Sequence, residues 1–179
     1  MEKVYLQEAK DFIKQYPEIE ERFSGCSEEE INDLQEILNT KIPASFKEFL
    51  MWFGKGGGRI LRGTDYYYSY LSGEAYEDYK EEGIIPHDHN LKKAGIEILN
   101  RNKFDGIALL EDSIVFMCHQ GYVIEYIKTN EGENPPVYIF VEQGDWLKNG
   151  PTIWAESFSE YMINMLTHEI DSLKKIGQL

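Results

Sequence analysis

The stretch that decides the fold runs Ser113-Ile114-Val115-Phe116-Met117-Cys118-His119-Gln120-Gly121-Tyr122-Val123-Ile124-Glu125-Tyr126-Ile127-Lys128. Its two arms, Ser113 to His119 and Tyr122 to Lys128, are rich in β-branched and aromatic residues, which suit a pleated and half-buried surface. Gln120-Gly121 between them is a two-residue turn signal, so the segment predicts a β-hairpin. Downstream, Val137 to Glu142 predicts a third strand, entered from Pro135-Pro136. Ser157-Phe158-Ser159-Glu160 then has the spacing of a capping box. It opens a helix along which Phe158, Tyr161, Met162, Met165, Leu166, Glu169 and Leu173 recur.

Upstream of the hairpin the period is helical. Asn90 to Asn102 carries Leu91, Ala94, Ile98 and Leu99 at helical steps, and Phe46, Phe49, Leu50 and Phe53 form a core-facing stripe at i, i+3, i+4 and i+7. Ile42-Pro43 opens that helix, with proline expected at the first helical position. Gly54 and the run Gly56-Gly57-Gly58 close it, and are expected to supply positive φ. Ser27-Glu28-Glu29-Glu30 reads as another capping box, ahead of an apolar face of Ile31, Leu34 and Leu38. Glu2 to Phe23 reads as helical, with Pro17 ending or kinking it. Arg59 to Arg62 reads as a short strand, and the tyrosine-rich stretch after it has no clear period. Helices, then a strand meander, then a terminal helix predict an α+β fold. The expected sheet is antiparallel-rich or mixed, and residues 1–179 read as one domain.

Composition narrows the class. The chain has 179 residues, 42% of them hydrophobic and 13% aromatic, enough for a body that buries roughly 70% of its unfolded surface. No run approaches the roughly 20 apolar residues of a membrane span, and Met1 to Asp11 lacks the hydrophobic core of a secretory signal. Cys26 and Cys118 lie far apart and outside any CxxC pair, which argues against a disulfide framework or zinc ribbon. A cytoplasmic protein is the expectation.

Charge is more informative. Thirty-two acidic against 18 basic side chains leave a net charge of −14. Such a surface repels phosphate backbones and attracts basic partners. Acidity for solubility alone is the competing reading unless the charge is patterned. It is densest from Asp65 to Glu82, where Asp65, Glu74, Glu77, Asp78, Glu81 and Glu82 face the single base Lys80. The same window holds Tyr66, Tyr67, Tyr68, Tyr70, Tyr76 and Tyr79.

Catalytic readings fare worse. The glycine run follows a helix, whereas a phosphate cradle follows a strand and opens a helix. His87-Asp88-His89 offers two imidazoles and a carboxylate, short of a complete ligand set even with His119 and Cys118 in reserve. Cys118 and His119 are adjacent in a strand and point to opposite faces, which prevents a thiolate–imidazole pair. No Gly-x-Ser-x-Gly elbow is present. An enzyme is therefore the minority reading, and no cofactor or metal is expected.

These segments together resemble the SUKH superfamily, the Smi/Knr-like proteins. Ser27-Glu28-Glu29-Glu30-Ile31 followed by Ile42-Pro43-Ala44-Ser45-Phe46-Lys47-Glu48-Phe49-Leu50 is similar to the family's opening, and Gly56-Gly57-Gly58 to its glycine stop. Val115-Phe116-Met117-Cys118-His119-Gln120-Gly121-Tyr122 resembles its "F-x-x-H-Q-G-Y" hairpin. Pro136-Val137-Tyr138 and Ser157 to Met162 resemble its late strand and last helix. Ile42 stands where leucine is usual, and the stretch between Thr64 and Phe104 has no family counterpart. The resemblance implies an α+β body and a binding role, since many bacterial members are immunity proteins that neutralise toxins.

The expectation that follows is an immunity protein that binds a cognate, basic protein toxin, possessed of nuclease activity in one version, through an acidic, tyrosine-rich surface. Asp65, Tyr67, Tyr68, Glu77, Asp78, Glu81 and Glu82 are the candidate contacts, with Glu111 and Asp112 in support. Half of the window's tyrosines are expected to be buried, as tyrosine is intermediate in burial. His119, Gln120, Gly121 and Tyr122 are read as structural: Gly121 turns, Tyr122 packs, and His119 or Gln120 satisfies backbone groups. No nucleic-acid or membrane partner is expected, and the chain is read as a monomer or weak dimer. The alternative is a regulatory or scaffold protein with an endogenous partner.

Overall fold

The computed structural model describes residues 3–61, 65–86 and 89–179. The chain begins with α1 (Gln7–Ile13), α2 (Pro17–Glu20), α3 (Glu28–Leu38) and α4 (Ala44–Phe53). The tyrosine-rich stretch forms α5 (Tyr68–Ser72), a 3-10 turn at Glu74–Tyr76 and α6 (Glu77–Glu81). Then come α7 (Leu91–Arg101), α8 (Gly106–Leu109), β1 (Ser113–His119), β2 (Val123–Lys128) and β3 (Val137–Val141). The last elements are α9 (Trp146–Asn149), β4 (Thr152–Ala155) and α10 (Phe158–Lys175). The fold is α+β, as the pattern of elements predicts.

The hairpin forms where its residues place it. Gln120 and Gly121 both have positive φ, 48° and 71°, the condition for the tight turns that match strand twist. The Tyr122 N–H closes the turn on the His119 carbonyl at 3.1 Å. The four strands pair antiparallel in the order β1-β2-β3-β4. Because side chains alternate, Val115, Ile124 and Phe140 share one face of the sheet. Helix α7 lies on that face, and it lies close because Gly95 has no side chain. A Cβ there would meet Leu110 at 3.0 Å and Val115 at 3.4 Å.

The opposite face carries the main core. A register shift between Val115 and Met117 leaves Phe116 without a partner on β2, and a bulge of this kind re-aims its side chain. The Phe116 ring meets Phe46 of α4 at 5.6 Å, Tyr66 at 5.5 Å, and Phe158 and Tyr161 of α10 at 5.7 and 5.5 Å. Phe46, Phe49 and Phe53 are fully buried, so the helical stripe faces the core.

Several local expectations need correction. The N-terminal segment breaks into two short helices, and Pro17 opens the second rather than ending the first. Its missing amide costs nothing there. Pro43 caps α4 one residue before its first turn. Gly54 ends α4 in right-handed geometry, and Gly58 alone in the glycine run has positive φ. Arg59 to Leu61 is turn and bend, not strand, and Arg62 lies outside the described residues. At Ser27 the capping box is complete. At Ser157 the hydroxyl accepts the Glu160 N–H at 3.2 Å, but the Glu160 carboxylate turns to the Glu156 N–H at 3.1 Å.

One charged residue sits on the core face of a central strand. Glu125 on β2 is 7% exposed, and its Oε2 accepts the Tyr161 hydroxyl at 2.5 Å. Tyr66 in turn donates to the Tyr161 hydroxyl at 3.0 Å. Burial raises the Glu125 carboxyl to about 7, against the smaller opposing effect of the Tyr161 bond. The folded state therefore holds its proton more tightly than the unfolded chain, whose glutamate titrates near 4.3. That contribution to stability is full below about pH 4.3 and is lost as pH rises through about 7. Glu125→Gln is expected to flatten this slope and to be more stable than the parent at pH 8, by on the order of 2–4 kcal/mol. Urea denaturation at pH 5 and pH 8 measures it.

Candidate partner-binding surface

Asp65 begins the acidic window and is tied down. Its backbone pairs with Cys118 through two hydrogen bonds of 3.1 Å, which places it at the far end of β1. Its carboxylate accepts the Tyr76 hydroxyl at 3.1 Å. Burial raises its pKa, and the Tyr76 bond opposes the rise.

The tyrosines divide by burial. Tyr66, Tyr68 and Tyr76 are buried, at 1%, 8% and 9% exposure, and Tyr79 is 52% exposed. Tyr67 is half-buried; its hydroxyl donates to the Ile60 carbonyl at 3.0 Å and accepts the Gly57 N–H at 2.9 Å. Tyr70 packs its ring against Tyr76 at 5.6 Å, and Tyr76 stands perpendicular to His89 at 4.9 Å. These rings fasten the segment to the body. The candidate contacts Tyr67 and Tyr68 thus face inward, and the ring that faces solvent, Tyr79, was not among the sequence candidates.

The acids of α6 behave differently. Lys80 is buried, with its ammonium 2.8 Å from Glu77 Oε1 and 3.4 Å from the Gly73 carbonyl. Glu77 is thereby neutralised locally. Asp78, Glu81 and Glu82 are exposed and carry no ion pair among the described residues. Spaced i, i+3 and i+4, they share one side of the turn. Tyr79 and Ile84, 63% exposed, are joined by the Ile84 N–H on the Tyr79 carbonyl at 2.9 Å. Two exposed apolar side chains and three exposed carboxylates thus occur within seven consecutive residues, 78–84.

Glu111 and Asp112 are exposed as well, but they precede β1 while Asp65 sits beside its last residues. Six residues of strand put about 20 Å between Asp112 and Cys118. Asp112 also serves the start of the β2–β3 loop: its carbonyl accepts the Thr129 N–H at 2.7 Å, and its carboxylate accepts the Asn130 side-chain N–H at 3.1 Å. The nine candidates therefore do not form one surface; the group that stays together is Glu77, Asp78, Glu81 and Glu82.

At the hairpin tip, Gly121 makes the turn as expected. Tyr122 is more exposed than expected, at 37%, with its ring 5.8 Å from that of His119, and His119 Nδ1 is buried without a hydrogen-bond partner among the described residues. Arg101 steadies the tip instead, by pairing with the Glu142 carboxylate and the Gly121 carbonyl. This link spans 41 residues and has no local signature. Cys118 is buried and burial raises its pKa, the reverse of an activated nucleophile. No cluster of three or more metal-ligating side chains occurs among the described residues. His87 and Asp88 lie outside them.

The division of labour among the tyrosines is testable. Tyr67→Phe removes one hydrogen-bond donor and strands the Gly57 N–H, and is expected to cost about 1–2 kcal/mol. Tyr79→Ala is expected to change stability by less than about 0.5 kcal/mol. Chemical denaturation of both variants measures the contrast.

No helix among the described residues is long and apolar enough to cross a membrane. No curated protein matches the chain. A family model, the SMI1 / KNR4 family (SUKH-1), matches residues 25–164, from the loop before α3 into α10. With more than three quarters of its length matched, including the hairpin and the whole sheet, the chain belongs to the SMI1 / KNR4 family (SUKH-1).

Proposed function

We propose that this protein is an immunity protein that binds a basic protein toxin in the cytoplasm and blocks it through the acidic face of α6. Membership of a family commonly made up of immunity proteins supports the general role. The observation that carries the surface is the set of exposed carboxylates Asp78, Glu81 and Glu82, without ion pairs among the described residues, in one short stretch with exposed Tyr79 and Ile84. A fixed anionic rim steers a cationic partner toward the site and penalises anionic ones. The exposed ring of Tyr79 in the same stretch supplies the area that an interface anchor needs. Short helices held by buried tyrosines keep both in place before the partner arrives, which reduces the ordering cost of association. Binding of this kind makes no use of catalysis, a cofactor or nucleic acid, and a single copy of the chain suffices.

Reversing Asp78, Glu81 and Glu82 to lysine is expected to abolish protection against the cognate toxin and to slow association at least tenfold, with circular dichroism and melting unchanged. Association of the parent chain is also expected to slow steeply as added salt shortens the screening length below about 8 Å. Full protection by the triple variant, or association indifferent to salt, would overturn the assignment of this face.

A further inference from the structure

A second feature lies on another part of the molecule. Between β4 and the flank of α10 is a cavity of about 500 Å³, within the range of ligand pockets. Tyr161, Met165 and His168 line it from α10 at i, i+4 and i+7, and Trp154 and Ala155 line it from β4. Glu125 reaches it from the central strand. One of its carboxylate oxygens is held by Tyr161; the other, Oε1, has no hydrogen-bond partner among the described residues and is not among the atoms sealed from solvent.

Trp154 is placed there by a bulge. Val137 pairs with Ala155 and Tyr138 with Ile153, so Trp154 is the extra residue on β4, and its indole is 58% exposed. Strand β4 is the outer strand of the sheet, with Ile153 also 47% exposed. A carboxylate at the floor, an aromatic ring at the mouth and a strand edge unpaired among the described residues thus occur together.

We propose that this groove receives one arginine or lysine side chain from a protein segment that lies along β4, with its cationic head on Glu125 Oε1 and its stem between Trp154 and Met165. A carboxylate already oriented by a tyrosine forms a charge-assisted bond to such a head, and the indole face adds cation–π attraction. Only a slender chain ending in a cation fits a site whose acid is 7% exposed. An edge strand offers main-chain donors and acceptors to an extended segment, which a free small cation does not use. Burial that raises the carboxyl to about 7 is relieved when a cation restores its charged form. The site is separate from α6, so reversal of the α6 carboxylates leaves it intact.

The test uses small probes on the intact chain at pH 8. Butylguanidinium is expected to shift the Glu125 side-chain carboxyl and Trp154 indole N–H resonances to saturation, and its neutral counterpart butylurea to bind at least tenfold more weakly. The capped tripeptide Val-Arg-Val is expected to bind at least tenfold more tightly than butylguanidinium, and capped Val-Ala-Val to lose that gain. Glu125→Gln, which keeps an oxygen for Tyr161, is expected to weaken butylguanidinium at least tenfold; Trp154→Ala, at an exposed position, to weaken it severalfold. Equal binding of the urea, unchanged binding by Glu125→Gln, or no saturable shift would each overturn the cation site. A tripeptide no tighter than the fragment would overturn the protein segment as its occupant.

Discussion

The structure depends on one aromatic junction. Phe116, turned inward by a bulge in β1, touches rings from α4, from α10 and from Tyr66. Each such ring pair contributes about 0.5–1.5 kcal/mol beyond the area it buries. The contacts also impose a position: helices from the two ends of the chain meet the sheet at the same side chain. Regular pairing at residue 116 would remove that meeting point.

The tyrosine segment is held in place by the same junction. Tyr66 enters the aromatic cluster and ends on the hydroxyl of Tyr161, which ends on Glu125. Tyr67 and Tyr76 then fix the turns on either side through their own hydroxyls. With those rings turned inward, Asp78, Tyr79, Glu81 and Glu82 remain outside. The acidic face is thus the outer surface of a segment whose inner surface is ordinary core. This arrangement gives short helices a fixed geometry that helices of this length lack on their own.

Glu125 joins the two halves of this arrangement. On its inner side it completes the hydroxyl chain from Tyr66, and on its outer side it opens to the groove beside Trp154. A buried carboxylate is costly unless it is paired. Here one oxygen is paired and the other faces a cavity. The same side chain therefore links the core to a surface away from α6.

Sequence periodicity by itself determined the α+β class, the hairpin, the phenylalanine stripe of α4, the Ser27 cap and the helices at Asn90 and Ser157, because these rest on neighbours within a few residues. The excess of acid and its concentration near residues 65–82 were equally legible. Tertiary structure decided which of those residues face out. Tyr67 and Tyr79 have the same side chain in the same acidic setting, but only Tyr67 lies within reach of Gly57 and Ile60. Lys80, the one base of the acidic window, is buried against Gly73 and Glu77, which its sequence position alone does not show. Strand β4 is four residues long and depends on β3 for its pairing, and the bulge that aims Trp154 exists only in that pairing. Burial and register are properties of distant partners, which local composition does not encode.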